Sequence, residues 1–138
     1  MSKEGIISAI ISCENQITEL DKEYDNKSAI AKEEIESKFN TKINEIVSKI
    51  RAIEKDLETT NDKNDEGKAK RKEKNTLLKK LNKEVKTISK NRNTEIKTKL
   101  KEIEEERKAG ITRINREITV LKKRLSALER VDGYTVRI

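Results

Sequence analysis

The apolar residues of this chain form two lists that mirror each other, and no other feature limits the possible folds as much. In the first half they run Ile6, Ile10, Cys13, Ile17, Leu20 and Tyr24, with steps of 4, 3, 4, 3 and 4, the spacing of a coiled-coil seam. The seam continues through Ser28, Ala31, Ile35, Phe39, Ile43, Ile46, Ile50, Ile53 and Leu57. The second half carries its own: Leu78, Leu81, Val85, Ile88, Arg92, Ile96, Leu100, Ile103, Arg107, Ile111, Ile114, Ile118, Leu121, Leu125 and Leu128. Paired from opposite ends, Leu57 with Leu78 through to Ile6 with Leu128, the fifteen pairs of numbers each sum to 134 or 135. Even the irregularities match. Steps of 4, 4 and 3 between Ile35 and Ile46 locally relax the left-handed supercoil, and three steps of 4 between Ile88 and Leu100 answer them on the other side.

Two helices packed antiparallel along their whole length need a shared discontinuity of this kind. The expected fold is therefore all-α, a long antiparallel two-helix coiled-coil hairpin forming one elongated domain. There is no proline to break such helices, and there are only four glycines. With 43% charged residues, 32% hydrophobic and 2% aromatic, the chain lacks the apolar mass for a three-dimensional core but has enough for a single stripe. The mirror point is Gly67, within Asn61-Asp62-Lys63-Asn64-Asp65-Glu66-Gly67-Lys68, where a glycine suited to left-handed backbone accompanies capping Asn and Asp residues. The pattern predicts helix 1 over about 5–62, a turn over about 63–69, helix 2 over about 70–131, and an extended tail over 133–138. Each arm would run roughly 90 Å at about 1.5 Å per residue. A second geometry gives the same register: positions 60, 64, 67, 71 and 74 keep heptad phase, so a continuous helix could pair with another copy. Chain connectivity favours the hairpin, because closing a short turn costs less entropy than ordering two chains.

The chemistry of enzymes is missing from the residue list. There is no histidine, no glycine-rich phosphate loop and no nucleophile beside a base, so no catalytic, cofactor-binding or metal-binding residue is expected. Cys13, the only cysteine, excludes an intramolecular disulfide and reads as a small buried apolar residue opposite Leu121. Arg92 and Arg107 interrupt the apolar seam facing Ile43 and Ser28, where a buried polar group would fix the register; the favoured expectation is that each packs its stem and sends its guanidinium to water. No apolar run reaches the roughly 18 residues of a membrane span. The expected setting is the cytoplasm or the inside of a larger assembly such as a virion.

Charge carries the functional signal. Residues 1–66 have a net charge of −6 and residues 67–138 a net charge of +13. Within the second half, residues 68–101 hold 14 Lys or Arg against three Glu. Lys79, Lys80, Lys83, Lys86 and Lys90 are the candidate contacts for an anionic partner. No aromatic residue lies in that segment, which excludes base stacking but leaves phosphate contact open. At the other end, Ile7, Ile11 and Val120 widen the seam, and Tyr134-Thr135-Val136-Arg137-Ile138 alternates like a short strand. Ile7, Ile11, Val120, Tyr134, Val136 and Ile138 are thus the candidate docking surface, for a protein partner or for a homo-oligomer. The expected function is a non-enzymatic structural or adaptor protein that docks through its termini end and projects a basic tip. The alternative is a basic protein that binds nucleic acid, or modulates a nucleic-acid enzyme, through residues 68–101.

Overall fold

The computed structural model describes residues 2–61 and 63–137, with side-chain surroundings as far as Arg130. Two helices, α1 (Lys3–Thr59) and α2 (Asp65–Arg137), pack against each other as a helical hairpin. All fifteen seam positions of each helix are buried or half-buried. Every buried apolar residue, from Ile6 to Leu121, belongs to the two seams. Such a stripe forms because each helix presents its apolar residues on one side only, and the other helix is the nearest surface that can cover them.

The packing falls into two units, residues 1–29 with 100–138, and residues 30–99. In the first, Ile6, Ile10 and Cys13 of α1 form one cluster with Ile114, Ile118 and Leu121 of α2, and Ile17, Leu20, Leu125 and Leu128 pack around it. Lys3 reaches Glu129 and Asp21 reaches Arg107, so numbers fall on one helix as they rise on the other. In the second unit Phe39, Ile50 and Leu81 are the buried seam residues. There the order is repeated by Lys38 with Glu95, Asn40 with Arg92, and Asp56 with Lys74.

The hairpin end differs from the sequence expectation. α1 stops at Thr59 and α2 begins at Asp65, so the predicted turn over 63–69 already contains the first turn of α2. Asn64 is the reason: its Oδ1 accepts a hydrogen bond from the Gly67 backbone N–H at 2.6 Å, and its carbonyl accepts from Lys68 at 3.0 Å. Asp65 and Glu66 then sit where the helix dipole favours negative charge. Gly67 is not left-handed, since no described glycine has positive φ. Its requirement is space: a Cβ there would lie 1.4 Å from the Asn61 carbonyl oxygen. The last turn of α1 has no basic residue of its own. Arg71 supplies the charge from α2, its Nη2 donating to the Leu57 carbonyl at 3.0 Å, while Lys74 pairs with Asp56 at 3.4 Å. Thr59 and Thr60 hydroxyls donate to the Asp56 carbonyl at 3.0 and 2.8 Å. The positions that kept heptad phase across the gap therefore close the hairpin; they do not continue one helix.

The far end needs a second correction. α2 runs through Asp132 and Gly133 to Arg137 and is not replaced by an extended tail. A glycine inside a helix costs only about 1 kcal/mol relative to alanine, too little to end a helix without a left-handed cap. The Tyr134 and Val136 side chains, and all of Ile138, lie outside the described residues.

Two predictions follow from this packing. Cysteines replacing Leu20 and Ile114, in a Cys13→Ser background, should crosslink within one chain at high dilution; adducts found only between chains would refute the hairpin. Gly67→Ala should lower stability by about 1–3 kcal/mol in urea unfolding followed by circular dichroism, because the new methyl overlaps the Asn61 carbonyl. An unchanged midpoint would mean that this close approach is not what demands glycine.

Candidate nucleic-acid and protein interface

Lys79, Lys80, Lys83, Lys86 and Lys90 are all exposed on α2. Successive helical residues are turned by about 100°, so Lys79, Lys83, Lys86 and Lys90, at steps of 4, 3 and 4, share one face. Lys80 stands about 100° round from Lys79 and faces elsewhere. Lys86, Ser89, Lys90, Asn93 and Lys97 line a shallow groove along the same face.

A longer period organises this face, and heptad counting does not reveal it. Lys68, Lys79, Lys90 and Lys101 are eleven residues apart, as are Lys72 and Lys83, and Lys86 and Lys97. Glu73, Glu84, Glu95 and Glu106 form another column of the same period. Eleven residues make just over three full turns, so each column drifts only about 20° per repeat and runs nearly parallel to the helix axis. The glutamates are turned about 140° from the Lys79 column, toward α1. On α1, Lys27, Lys38 and Lys49 repeat at eleven residues too. Lys38 meets Glu95 at 3.9 Å, and Lys49 with Glu84, and Lys27 with Glu106, hold the equivalent positions one repeat away. Of these glutamates Glu95 reaches the partner helix, while Glu73, Glu84 and Glu106 stay exposed. Among the described residues, Lys68, Lys72, Lys79, Lys83, Lys86, Lys90 and Lys97 enter no ion pair, whereas Lys70 and Lys74 do. The signal that finds this arrangement is the period of the charges, not of the apolar residues.

The candidate docking residues divide between two sides. Ile7, Ile11 and Val120 are 40%, 52% and 48% exposed. Ile7 and Ile11 each follow a seam residue and share the flank where Lys3 meets Glu129, itself the residue after Leu128. Val120 precedes Leu121, as Glu117 precedes Ile118, which puts both on the opposite flank. The structure does not bring Val120 to the isoleucine pair. Two isoleucines offer about 1.5–3 kcal/mol each on burial, against roughly 4–15 kcal/mol of association cost, so the pair alone does not hold a partner. Ile30 and Leu77, which the seam pattern passes over, are also exposed.

Both seam arginines are paired, beyond the simple solvent contact expected of them. Arg92 Nη1 donates to Asn40 Oδ1 at 2.8 Å, and its Nε to Asn93 Oδ1 at 3.3 Å. Arg107 donates to Asp21 at 2.6 Å and to Glu104 at 3.0 Å, and its guanidinium carbon lies 4.8 Å from the centre of the Tyr24 ring. The Arg107 bond, helped by a hydrogen bond from Tyr24, holds the Glu104 carboxyl below its ordinary value, against the opposing effect of burial. The same partners raise the Arg107 pKa. Cys13 is buried, and burial with the neighbouring Glu117 pushes its thiol pKa up, which keeps the sulfur protonated and unreactive. Among the described residues no three metal-ligating side chains come together, and no helix is long and apolar enough to cross a membrane.

A carboxylate with a lowered folded-state pKa contributes stability above the ordinary carboxylate range, and that contribution disappears as pH falls through the folded value. Glu104 should therefore titrate below 4.5 in a carboxyl-detected NMR experiment, and Arg107→Gln should move its midpoint back up. A wild-type midpoint at or above 4.5 would break the assignment of Arg107 as its partner.

Comparison with protein-family models, with curated proteins and with solved structures returned no match, so the functional reading rests on the geometry of the chain itself.

Proposed function

We propose that this protein works by binding and not by catalysis, as a helical hairpin that presents the outer face of α2 to an anionic partner. The observation that carries the reading is the separation of charge on one helix. Among the described residues Lys68, Lys72, Lys79, Lys83, Lys86, Lys90 and Lys97 share one outward face without ion pairs, while the Glu73, Glu84 and Glu95 column lies about 140° round from Lys79, where Glu95 meets Lys38 of α1. A chain that used lysine only for solubility would have no reason to sort the two signs onto different faces. Surface ion pairs contribute only about 0–1 kcal/mol each, so sorting the charges does little for the stability of the hairpin. It does concentrate positive potential along one side, which speeds and orients encounter with a negative partner. The same geometry supports an adaptor role, since the paired seams back the face with a second helix.

Heparin chromatography gives the test, because heparin reports any anion-binding face. Replacing Lys79, Lys83, Lys86 and Lys90 by Gln should leave the helical signal intact, glutamine being a good helix former, and should lower the eluting salt concentration clearly. Replacing four α1 lysines, Lys22, Lys32, Lys42 and Lys55, removes the same charge and should lower it much less. Equal shifts in the two variants would mean that total charge, and not this face, governs binding.

A further inference from the structure

The lysine face has a shape as well as a sign, and the shape narrows the partner. From Lys68 to Lys97 it extends about 44 Å along α2 at about 1.5 Å per residue. The eleven-residue columns drift only about 20° in eleven residues and keep it nearly straight, where a heptad column drifts about 20° in seven and in the opposite sense. No aromatic residue lies in 68–101, and the one large exposed apolar residue there, Leu77, precedes Leu78 and leans to the other flank. Protein–protein interfaces draw most of their affinity from buried aromatic and apolar anchors, which this face lacks. Recognition of single strands relies on stacking, which it also lacks. What remains is a straight row of ammonium groups flanked by the small polar side chains of Asn75, Asn82 and Ser89, the residue types that contact phosphate and sugar.

From these features we infer that the face binds the phosphate backbone of duplex nucleic acid, with α2 lying along the duplex. The inference rests on the binding role proposed above. Lys68, Lys79 and Lys90 repeat about every 16.5 Å. B-form DNA turns once in roughly 34 Å and presents two strands, so a straight rod on its surface crosses a backbone on average every 17 Å or so. Each column lysine can then meet a strand without bending either partner. Lys72, Lys83, Lys86 and Lys97 fill the intervals between crossings. Binding of this kind is indifferent to base sequence, because contacts to the phosphate backbone carry no sequence information directly.

The experiment is a fluorescence-anisotropy titration of the full chain with a 24-base-pair duplex, the matching single strand and polyglutamate of equal charge, over a range of salt. The duplex should bind best. If five to seven phosphates are contacted, log affinity should fall against log salt with a slope of about −4.5 to −6, from roughly −0.9 per phosphate. Lys79→Gln with Lys90→Gln should make the slope shallower by about 2, and the Lys22→Gln with Lys42→Gln pair should leave it unchanged. Affinity should also rise with duplex length up to about 13 base pairs, the span of the face, and then level off. Polyglutamate binding as tightly as the duplex would overturn the duplex inference and keep the anion-binding role. Duplex binding with a slope that the Lys79 and Lys90 changes do not move would also overturn it, by placing the contact elsewhere. No binding to any of the three at low salt would overturn both.

Discussion

Each helix of this protein has one apolar stripe and only the other helix to bury it against, and the rest of the structure depends on that exchange. Isolated helices gain little from propensity alone, and most of their stability in proteins comes from packing an amphipathic face. Here the face is narrow, with its most buried residues drawn from Ile6, Ile10, Cys13, Ile114, Ile118 and Leu121 in one unit and Phe39, Ile50 and Leu81 in the other. A narrow seam resists a slip of one residue, since the accompanying turn of about 100° would carry its apolar positions toward water. The seam arginines add to this constraint. Arg107 finds Asp21 and Tyr24 of α1 only in the observed register, and Arg92 finds Asn40 only there.

The seam leaves most of each helix surface free of packing, and that freedom lets the charges be arranged for something else. Lys38 and Glu95 show the flanks assisting the pairing of the helices. Among the described residues, Lys68, Lys79, Lys83, Lys86 and Lys90 on the outward face of α2 have no such partner. A compact globule would have buried much of this surface; a two-helix pair keeps it available, which suits the binding role proposed above.

The seam could be read directly from the residues because it is both repetitive and mirrored, and burial enforces each repeat. The ends could not. The start of α2 is set by the Asn64 side chain on Gly67 N–H and by the approach of Gly67 to the Asn61 carbonyl, contacts made only once the chain has turned. The Arg71 bond to the Leu57 carbonyl joins residues fourteen apart, and heptad phase marks Arg71 without saying what it touches. The division of Ile7 and Ile11 from Val120 was hidden for a different reason. Residues just after and just before a seam position look equally close to it in sequence, yet they lean to opposite sides. Among the candidate contacts, the basic residues could be found from composition, but their straight alignment needed the eleven-residue period.

That period bears on how such a protein could change length. Seam residues repeat by eleven on both helices, as in Ile6, Ile17, Ser28, Phe39 and Ile50, and in Leu81, Arg92, Ile103, Ile114 and Leu125. Removing one repeat from each arm at matched heights would shorten each by about 16.5 Å and bring seam against seam and charge column against charge column again. Removing it from one arm alone would leave three turns of the other with an uncovered stripe. Length in this architecture is therefore quantised and shared. Gene duplication or loss within one arm is penalised until its counterpart follows.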